Sequence, residues 1–324
     1  MSSKTVRYLS GIQPSGMIHL GNYFGAIREH IALQEAGEAF YFIANYHALT
    51  TQREPAQLRA HSYDVALTYL ACGLDPQRAC IFRQSDVPEV TELTWLLMTV
   101  TPMGLLQRAV SYKDKVERGV AADAGLFTYP VLMAADILIY RSDFVPVGQD
   151  QVQHIEITRD IAATFNHTFG DVFKLPEAKL GRAPYVPGVD GAKMSKSYGN
   201  GIELFAEGNA LRKVVMGIKT DSTPVDQPKD PDKDTVFALY SLVATPQERD
   251  ALAARYRAGG MGYGEAKSLL HEKLDATLAP LRQRRAEWAA QPEKVEAILQ
   301  AGAARARAEA RQTLDAARKA CGVA

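Results

Sequence analysis

The sequence predicts an α/β protein: a parallel sheet built from strand–helix–strand units, followed by an all-helical C-terminal region. Three observations predict it. Short apolar runs alternate with helical patterns through the first half. A connection over residues 221–234, rich in proline and aspartate, then interrupts the pattern. Beyond it every segment has helical periodicity.

Taken in order, residues 6–10 read as a first strand, followed by a Pro-Ser-Gly turn and a helix over 23–35. Residues 39–44 (Ala-Phe-Tyr-Phe-Ile-Ala) read as a second, buried strand, with a loop containing His47 after it. Pro55 suits a first helical turn and opens a helix to Ala71, which Cys-Gly-Leu-Asp-Pro over 72–76 ends. Residues 79–84 give a third strand. Between 92 and 133 the pattern is helical, with Lys113, Lys115 and Arg118 in a polar stretch; a strand over 143–148 and a helix over 151–164 follow. Residues 181–200 are loop-rich, with Pro184, Pro187 and four glycines. The last helices span 235–243, 246–257, 264–288 and 293–320. The expected division is an α/β nucleotide-binding domain over 1–200 and a helical domain over 201–324. Parallel strands joined this way cross over right-handedly and bind ligands at their carboxyl ends. Residues 11–22 and His47 both fall there.

Composition narrows the class. At 324 residues and 47% hydrophobic content the chain can bury a sizeable core. Its 37 basic and 37 acidic residues balance, so no global field marks a polyanionic partner. The segment 281–324 is mildly basic, with nine Lys/Arg against five Asp/Glu, a tilt that a solvated helix also shows. Cys72, Cys80 and Cys321 form no metal-ligand pattern. With no signal segment after Met1 and no apolar run of membrane-spanning length, the expectation is a cytoplasmic enzyme that touches neither membrane nor DNA.

Two distant segments carry chemistry. In Pro14-Ser-Gly-Met-Ile-His-Leu-Gly-Asn22, glycines at 11, 16 and 21 allow positive φ and close ligand approach. A helix starting there would aim unpaired N–H groups at phosphate, and Asn22 shares a face with His19. Alone, the segment reads equally well as a tight turn. In Lys193-Met-Ser-Lys-Ser197, two ammonium groups on a small polar loop can follow a leaving pyrophosphate, with Ser195 and Ser197 as hydroxyl donors; the plain reading is a solvated lysine loop. A third feature is internal to a helix: Tyr129, Met133 and Asp136 share one face. A carboxylate among apolar residues needs a donor, and an indole N–H beside a thioether would serve. The structural alternative is a carboxylate that caps nearby backbone.

The two segments resemble the HIGH-type and KMSKS-type signatures of class I aminoacyl-tRNA synthetases. Ser10-Gly-Ile-Gln-Pro-Ser-Gly16, residues 126–138 (Leu-Phe-Thr-Tyr-Pro-Val-Leu-Met-Ala-Ala-Asp-Ile-Leu) and residues 145–156 (Val-Pro-Val-Gly-Gln-Asp-Gln-Val-Gln-His-Ile-Glu) are similar to tryptophanyl-tRNA synthetases. So are Tyr240-Ser-Leu and Gly262-Tyr-Gly, and the match covers nearly the whole chain. The resemblance implies a Rossmann-like catalytic domain, a helical anticodon-binding domain and a homodimer. It implies formation of tryptophanyl-adenylate from ATP with Mg2+, then transfer of tryptophan to tRNA(Trp).

By the same resemblance, His19, Asn22, Lys193, Lys196 and Lys115 are expected to be catalytic. Gln13, Pro14, Ser15, Gly21, Asn22, Gly148, Gln149, Asp150, Val186 and the loop Lys193, Met194, Ser195, Lys196, Ser197 are expected at ATP. Asp136, Tyr8, Gly11, His47, Tyr129, Met133, Val145, Val147 and Gln151 are expected around L-tryptophan, with Asp136 on the indole N–H. No protein metal site is expected. Gln149 stands where relatives often carry an acid, and Tyr198 replaces a frequent aspartate. Arg282, Arg284, Arg285, Arg305 and Arg307 form either a tRNA-facing surface or a solvated helix face. The rival readings are a tyrosyl-tRNA synthetase, which would read a hydroxyl rather than an N–H, another adenylyltransferase with a HIGH-type turn, and an RNA-binding relative without activity.

Overall fold

Apolar runs that cannot stay in water become the strands of one sheet. The structure, a computed structural model, describes residues 5–109, 119, 123–181 and 185–324. Among these, β1 (Arg7–Ile12), β2 (Glu38–Ile43), β3 (Ala79–Arg83), β4 (Phe144–Val147) and β5 (Glu177–Leu180) pair in the order β3-β2-β1-β4-β5. Every pair is parallel, with Leu9 opposite Phe40 and Phe40 opposite Cys80. The central strand residues Leu9, Phe40, Tyr41 and Ile81 are almost wholly buried, as expected of a sheet covered on both faces. The strand order reverses between β1 and β4. Their carboxyl ends run into Gln13–Ser15 and Gly148–Gln149, where such sheets open a crevice.

β5 is an addition to the expected strands. Glu-Ala-Lys-Leu is too short and too charged to stand out, and an edge strand tolerates both properties. The helix expected over 23–35 is three pieces: α1 (Leu20–Asn22), a π-helical turn (Tyr23–Ile27) and α2 (Arg28–Leu33). The loop expected at His47 is a short helix, α3 (Asn45–Ala48). α4 (Pro55–Ala71) starts on its proline as predicted. α5 (Glu89–Met98), α6 (Met103–Gln107), α7 (Ala124–Ile139) and α8 (Val152–Phe169) complete the α/β part. No described helix is long and apolar enough to cross a membrane.

The helical remainder is α9 (Gly208–Met216), which the sequence pattern did not single out, α10 (Thr235–Ser241), α11 (Pro246–Ala258), α12 (Tyr263–Ala289) and α13 (Pro292–Cys321). The chain forms two compact units, and neither follows a single cut at residue 200. One contains Met1–Ser15, His30–Gly181 and Gln291–Ala324; the other contains Gly16–Glu29 and Arg182–Ala290. The last helix joins the sheet for identifiable reasons. Its stripe Val295, Leu299, Ala303, Ala306, Ala310 and Leu314 is buried. Gly302 lets its backbone touch β3, since a Cβ there would sit 1.9 Å from the Ile81 carbonyl. Cys80 Sγ–H donates to the Gly302 carbonyl at 3.1 Å. Arg83 pairs with Glu296, and Arg307 and Arg311 both reach Glu89 at 3.0 Å.

Candidate active site

Within the second unit the two signature segments meet. Gly16 turns the chain at φ +124°, a conformation glycine adopts cheaply. Gly21, expected to share that freedom, does not have positive φ. It is small because a Cβ would lie 2.9 Å from the His19 ring. His19 caps α1: its Nδ1 accepts from the Asn22 backbone N–H at 3.3 Å, while Asn22 Oδ1 accepts from the His19 N–H at 3.1 Å. With Nδ1 engaged as an acceptor, the ring proton sits on Nε2 and leaves one N–H donor. Burial, reinforced by the nearby Lys196 charge, depresses the His19 pKa to about 4, so the ring is neutral at pH 7.

The helix-start amides expected to await phosphate are already bonded in this structure. Leu20 N–H reaches the Ile202 carbonyl at 2.9 Å, Gly21 N–H reaches Met194 Sδ at 3.2 Å, and Asn22 N–H is on His19. Residues 18–20 thereby run beside 202–204, with Leu204 N–H on the Ile18 carbonyl. Met194 is buried, and its Sδ joins the two motifs. Lys196 Nζ donates to the Gly16 carbonyl at 2.8 Å, and Lys193 is exposed. Ser195 is half-buried, and Ser197 lies in the 3-10 turn Lys196–Tyr198. Val186 is buried, and its carbonyl holds the Met194 N–H at 2.9 Å.

The first unit holds the other group of residues. Asp136 on α7 is 2% exposed and its carboxylate faces side chains, not a helix end. His47 Nε2 lies 2.8 Å from Oδ2, and Gln84 Nε2 donates to both oxygens at 2.8 and 3.0 Å. Burial raises the Asp136 pKa, and the donors from His47 and Gln84 pull it back down. Backbone capping, the structural alternative, is absent from these bonds. Tyr129 and Met133 are half-buried on the same helix, with Tyr129 edge-on to His47 at 6.3 Å. Gln13 Nε2 donates to the His47 carbonyl at 3.1 Å. On β1, buried Tyr8 stacks on Phe144; Gly11 is flat against Phe42, whose ring a Cβ would meet at 2.6 Å. Thus Gly11 is a packing glycine, without the positive φ expected of it. Val145 is buried and Val147 half-buried on β4. Pro14 and Ser15 follow β1; exposed Gly148 and Gln149 follow β4, with Asp150 and Gln151 in the turn Gln149–Gln151. A cavity of about 460 Å³ opens beside His47 and Tyr129, lined also by Tyr46, Thr50, Arg53 and Thr128.

Lys115 lies outside the described residues. Two contributors escaped sequence reasoning. Gln84 follows β3 at its carboxyl end, where the sequence pattern extends the strand to 84, and that position was its only signal. Asn200 is 2% exposed and organises the lysine loop: its Oδ1 accepts from Ser195 N–H at 2.8 Å, and its Nδ2 donates to Asp190 at 2.8 Å and to the Lys193 carbonyl at 3.2 Å. The arginines considered for tRNA are largely engaged within their own units. Arg282 bonds Asp275 and the Ala206 carbonyl, Arg285 covers Phe205, Arg305 lies 3.8 Å from Glu38, and Arg307 holds Glu89.

A neutral N–H donor beside Lys196, with Lys193 on the same loop, suits a polyphosphate, and a buried carboxylate on a helix face with an aromatic and a thioether suits an indole. Residues 1–279 match the family of class I tRNA synthetases for W and Y. A tryptophan–tRNA ligase from Rhodopirellula baltica is 57% identical over 98% of this chain and 100% of its own length. Another, from Fusobacterium nucleatum, is 48% identical over 98% of each chain. The crystal structure of a tryptophanyl-tRNA synthetase from Campylobacter jejuni, complexed with ADP and tryptophan, matches with a TM-score of 0.92 at 45% identity, covering 98% of this chain and 100% of that one. The chain belongs to the class I tRNA synthetases for tryptophan and tyrosine, and within that family to the tryptophan–tRNA ligases.

Proposed function

We propose that this chain activates L-tryptophan with ATP and transfers it to the 3′ end of tRNA(Trp). The observation that carries the reading is the meeting of the signatures in one unit: Lys196 Nζ on the Gly16 carbonyl and Met194 Sδ under Gly21. The tryptophan carboxylate is ionised at neutral pH and needs no base. Its oxygen attacks the α-phosphorus, the bond to the bridging β-phosphate oxygen breaks, and pyrophosphate leaves. Lys193 and Lys196 stabilise the charge on the departing group, and His19 Nε2–H donates to a phosphate oxygen. A ribose hydroxyl of the tRNA then attacks the acyl carbon, and AMP leaves. Selectivity rests on Asp136, which accepts the indole N–H while Tyr129 and Met133 enclose the ring; tyrosine presents no donor at that position.

Among the described residues no group of three or more His, Cys, Asp or Glu side chains could hold a metal ion. The polar groups at the signatures are donors, so magnesium enters as part of the ATP substrate, on phosphate oxygens. Exposed Trp95, Met98 and Met103 on α5 and α6 suit burial against a second copy of the chain. The setting is the cytoplasm, where the tRNA is. The test is aminoacylation of tRNA(Trp) transcript with tryptophan and with tyrosine. Charging with tryptophan alone is expected; charging with tyrosine, or with neither, overturns the reading.

A further inference from the structure

Gln84 is 1% exposed, and its side-chain amide is bonded at both ends. Its Oε1 accepts from the Tyr46 N–H at 3.0 Å and the His47 N–H at 3.4 Å, both at the start of α3. Those donors are backbone and cannot reverse, so they fix which end of the amide is oxygen. The NH2 end must then face Asp136, and it reaches both carboxylate oxygens. The next residue is anchored as well: Asn45 Oδ1 accepts from Ser85 N–H at 3.0 Å, and Asn45 Nδ2 donates to Ser85 Oγ at 2.7 Å. The turn after β3 and the start of α3 are therefore tied at two consecutive positions. An amide is better here than the alternatives. A glutamate would set a second negative charge against Asp136, and an apolar residue would leave two N–H groups and a carboxylate short of partners.

We propose that Gln84 is a positioning residue for tryptophan selection: it relays the fixed orientation of the α3 backbone to Asp136, holding that carboxylate as an acceptor aimed at the indole N–H. Asp136 has two more directions open than Gln84 uses, one taken by His47 and one left for the substrate. The proposal rests on Asp136 reading the indole, so its test separates the two claims. The probes are tryptophan and the analogue with sulfur in place of the indole nitrogen, which keeps the shape and lacks the N–H. The readout is the ratio of their kcat/KM values in pyrophosphate exchange, with the KM for ATP alongside.

In Gln84→Met the ratio is expected to fall roughly 10- to 100-fold, through KM for tryptophan, with KM for ATP unchanged. Asp136→Asn should lower it at least as far. If Asp136→Asn lowers the ratio and Gln84→Met does not, the positioning role is wrong while the Asp136 reading stands. If neither variant moves the ratio, the Asp136 reading fails and this proposal with it. Equal loss of both amino acids in Gln84→Met means packing alone, which also overturns it. Should Gln84→Met fail to fold, Gln84→Glu keeps the shape and the acceptor for Tyr46. Protonated, that glutamate still donates to Asp136; ionised, it repels it. Its ratio should therefore fall from about pH 6 to about pH 9, where the parent enzyme's does not. His47 and Tyr140 also face Asp136 and are common to both proteins, so the comparison isolates residue 84. A flat profile identical to the parent's refutes the relay.

Discussion

The two groups of candidate residues, one in each compact unit, are built on opposite principles. Around Asp136, side chains bond side chains in a largely buried network: a carboxylate, an imidazole and an amide, each with its partner set. Around His19 and Lys196, most of the order comes from backbone and from Asn200, and Lys193 is exposed. The difference suits the ligand proposed for each group. An indole offers one N–H, so telling it from other rings needs an acceptor that is desolvated and already aimed. A triphosphate offers many charges and changes shape as it reacts, so its partners need reach more than fixed geometry.

If that contrast holds, damage to the two groups should read out differently. Lys196→Ala is expected to give the largest effect, lowering kcat for pyrophosphate exchange about 1,000-fold with KM for tryptophan unchanged. A matching rise in that KM would erase the contrast. Asp136→Ala should do the reverse. Tryptophan affinity falls about 100-fold or more, measured by calorimetry, while ATP binding stays; equal loss of both ligands would make Asp136 a structural carboxylate.

Each unit also contains one histidine that burial keeps neutral, His30 in the sheet unit and His19 at the signatures, both with pKa depressed to about 4 from 6.5. The unfolded chain binds a proton at 6.5 that the folded chain refuses until about 4. Stability is therefore full above 6.5 and declines as pH falls toward 4, by about 3 kcal/mol for a shift of this size. Urea titrations across that window should show the decline, and His30→Gln should remove about half of it, His19 supplying the rest. An undiminished slope in that variant would place the proton uptake elsewhere.

Much of this was legible in the sequence because it was periodic or punctuated. β2 is an unbroken apolar run, and α4 opens on Pro55 and stops at Ala71, where the reading put its ends. The pairing of His19 with Asn22 followed from a three-residue spacing. What stayed hidden depends on long-range contacts. β5 is a strand only because β4 supplies its partners. Gln84 becomes informative once α3 and α7 fold against the turn after β3. The last helix looked like more of the helical domain; its small residues and Gly302 suit packing on a sheet, but the pattern does not say which one.

That helix gives the next smaller effect. Gly302→Ala drives a methyl to 1.9 Å from the Ile81 carbonyl, so the helix must move off β3 and strain its bonds to Cys80 and Glu89. A cost of about 2 kcal/mol in urea unfolding is expected. Glu296→Ala should add little to it, because both changes loosen the same contact. Full additivity would mean that the helix is held at independent points.

The smallest expected change is a gain. Arg141 follows α7 with φ +52°, and among the described residues it is the one non-glycine with positive φ. An L-side chain in that region costs about 1 kcal/mol, because its Cβ crowds the neighbouring carbonyl. The side chain is exposed, so Arg141→Gly removes the strain without opening a cavity. Part of the gain is lost again, since glycine has more freedom to give up on folding. A net stabilisation of about 0.5 kcal/mol in urea unfolding is the expected result. The substitution sits five residues beyond Asp136 on the segment that ends its helix, so it also tests how stiffly that carboxylate is held. If the sheet unit is as preorganised as its bonds imply, KM for tryptophan will not move; a shift in KM would mean that the α7 terminus, and not the bonds from His47 and Gln84 alone, sets the aim of Asp136.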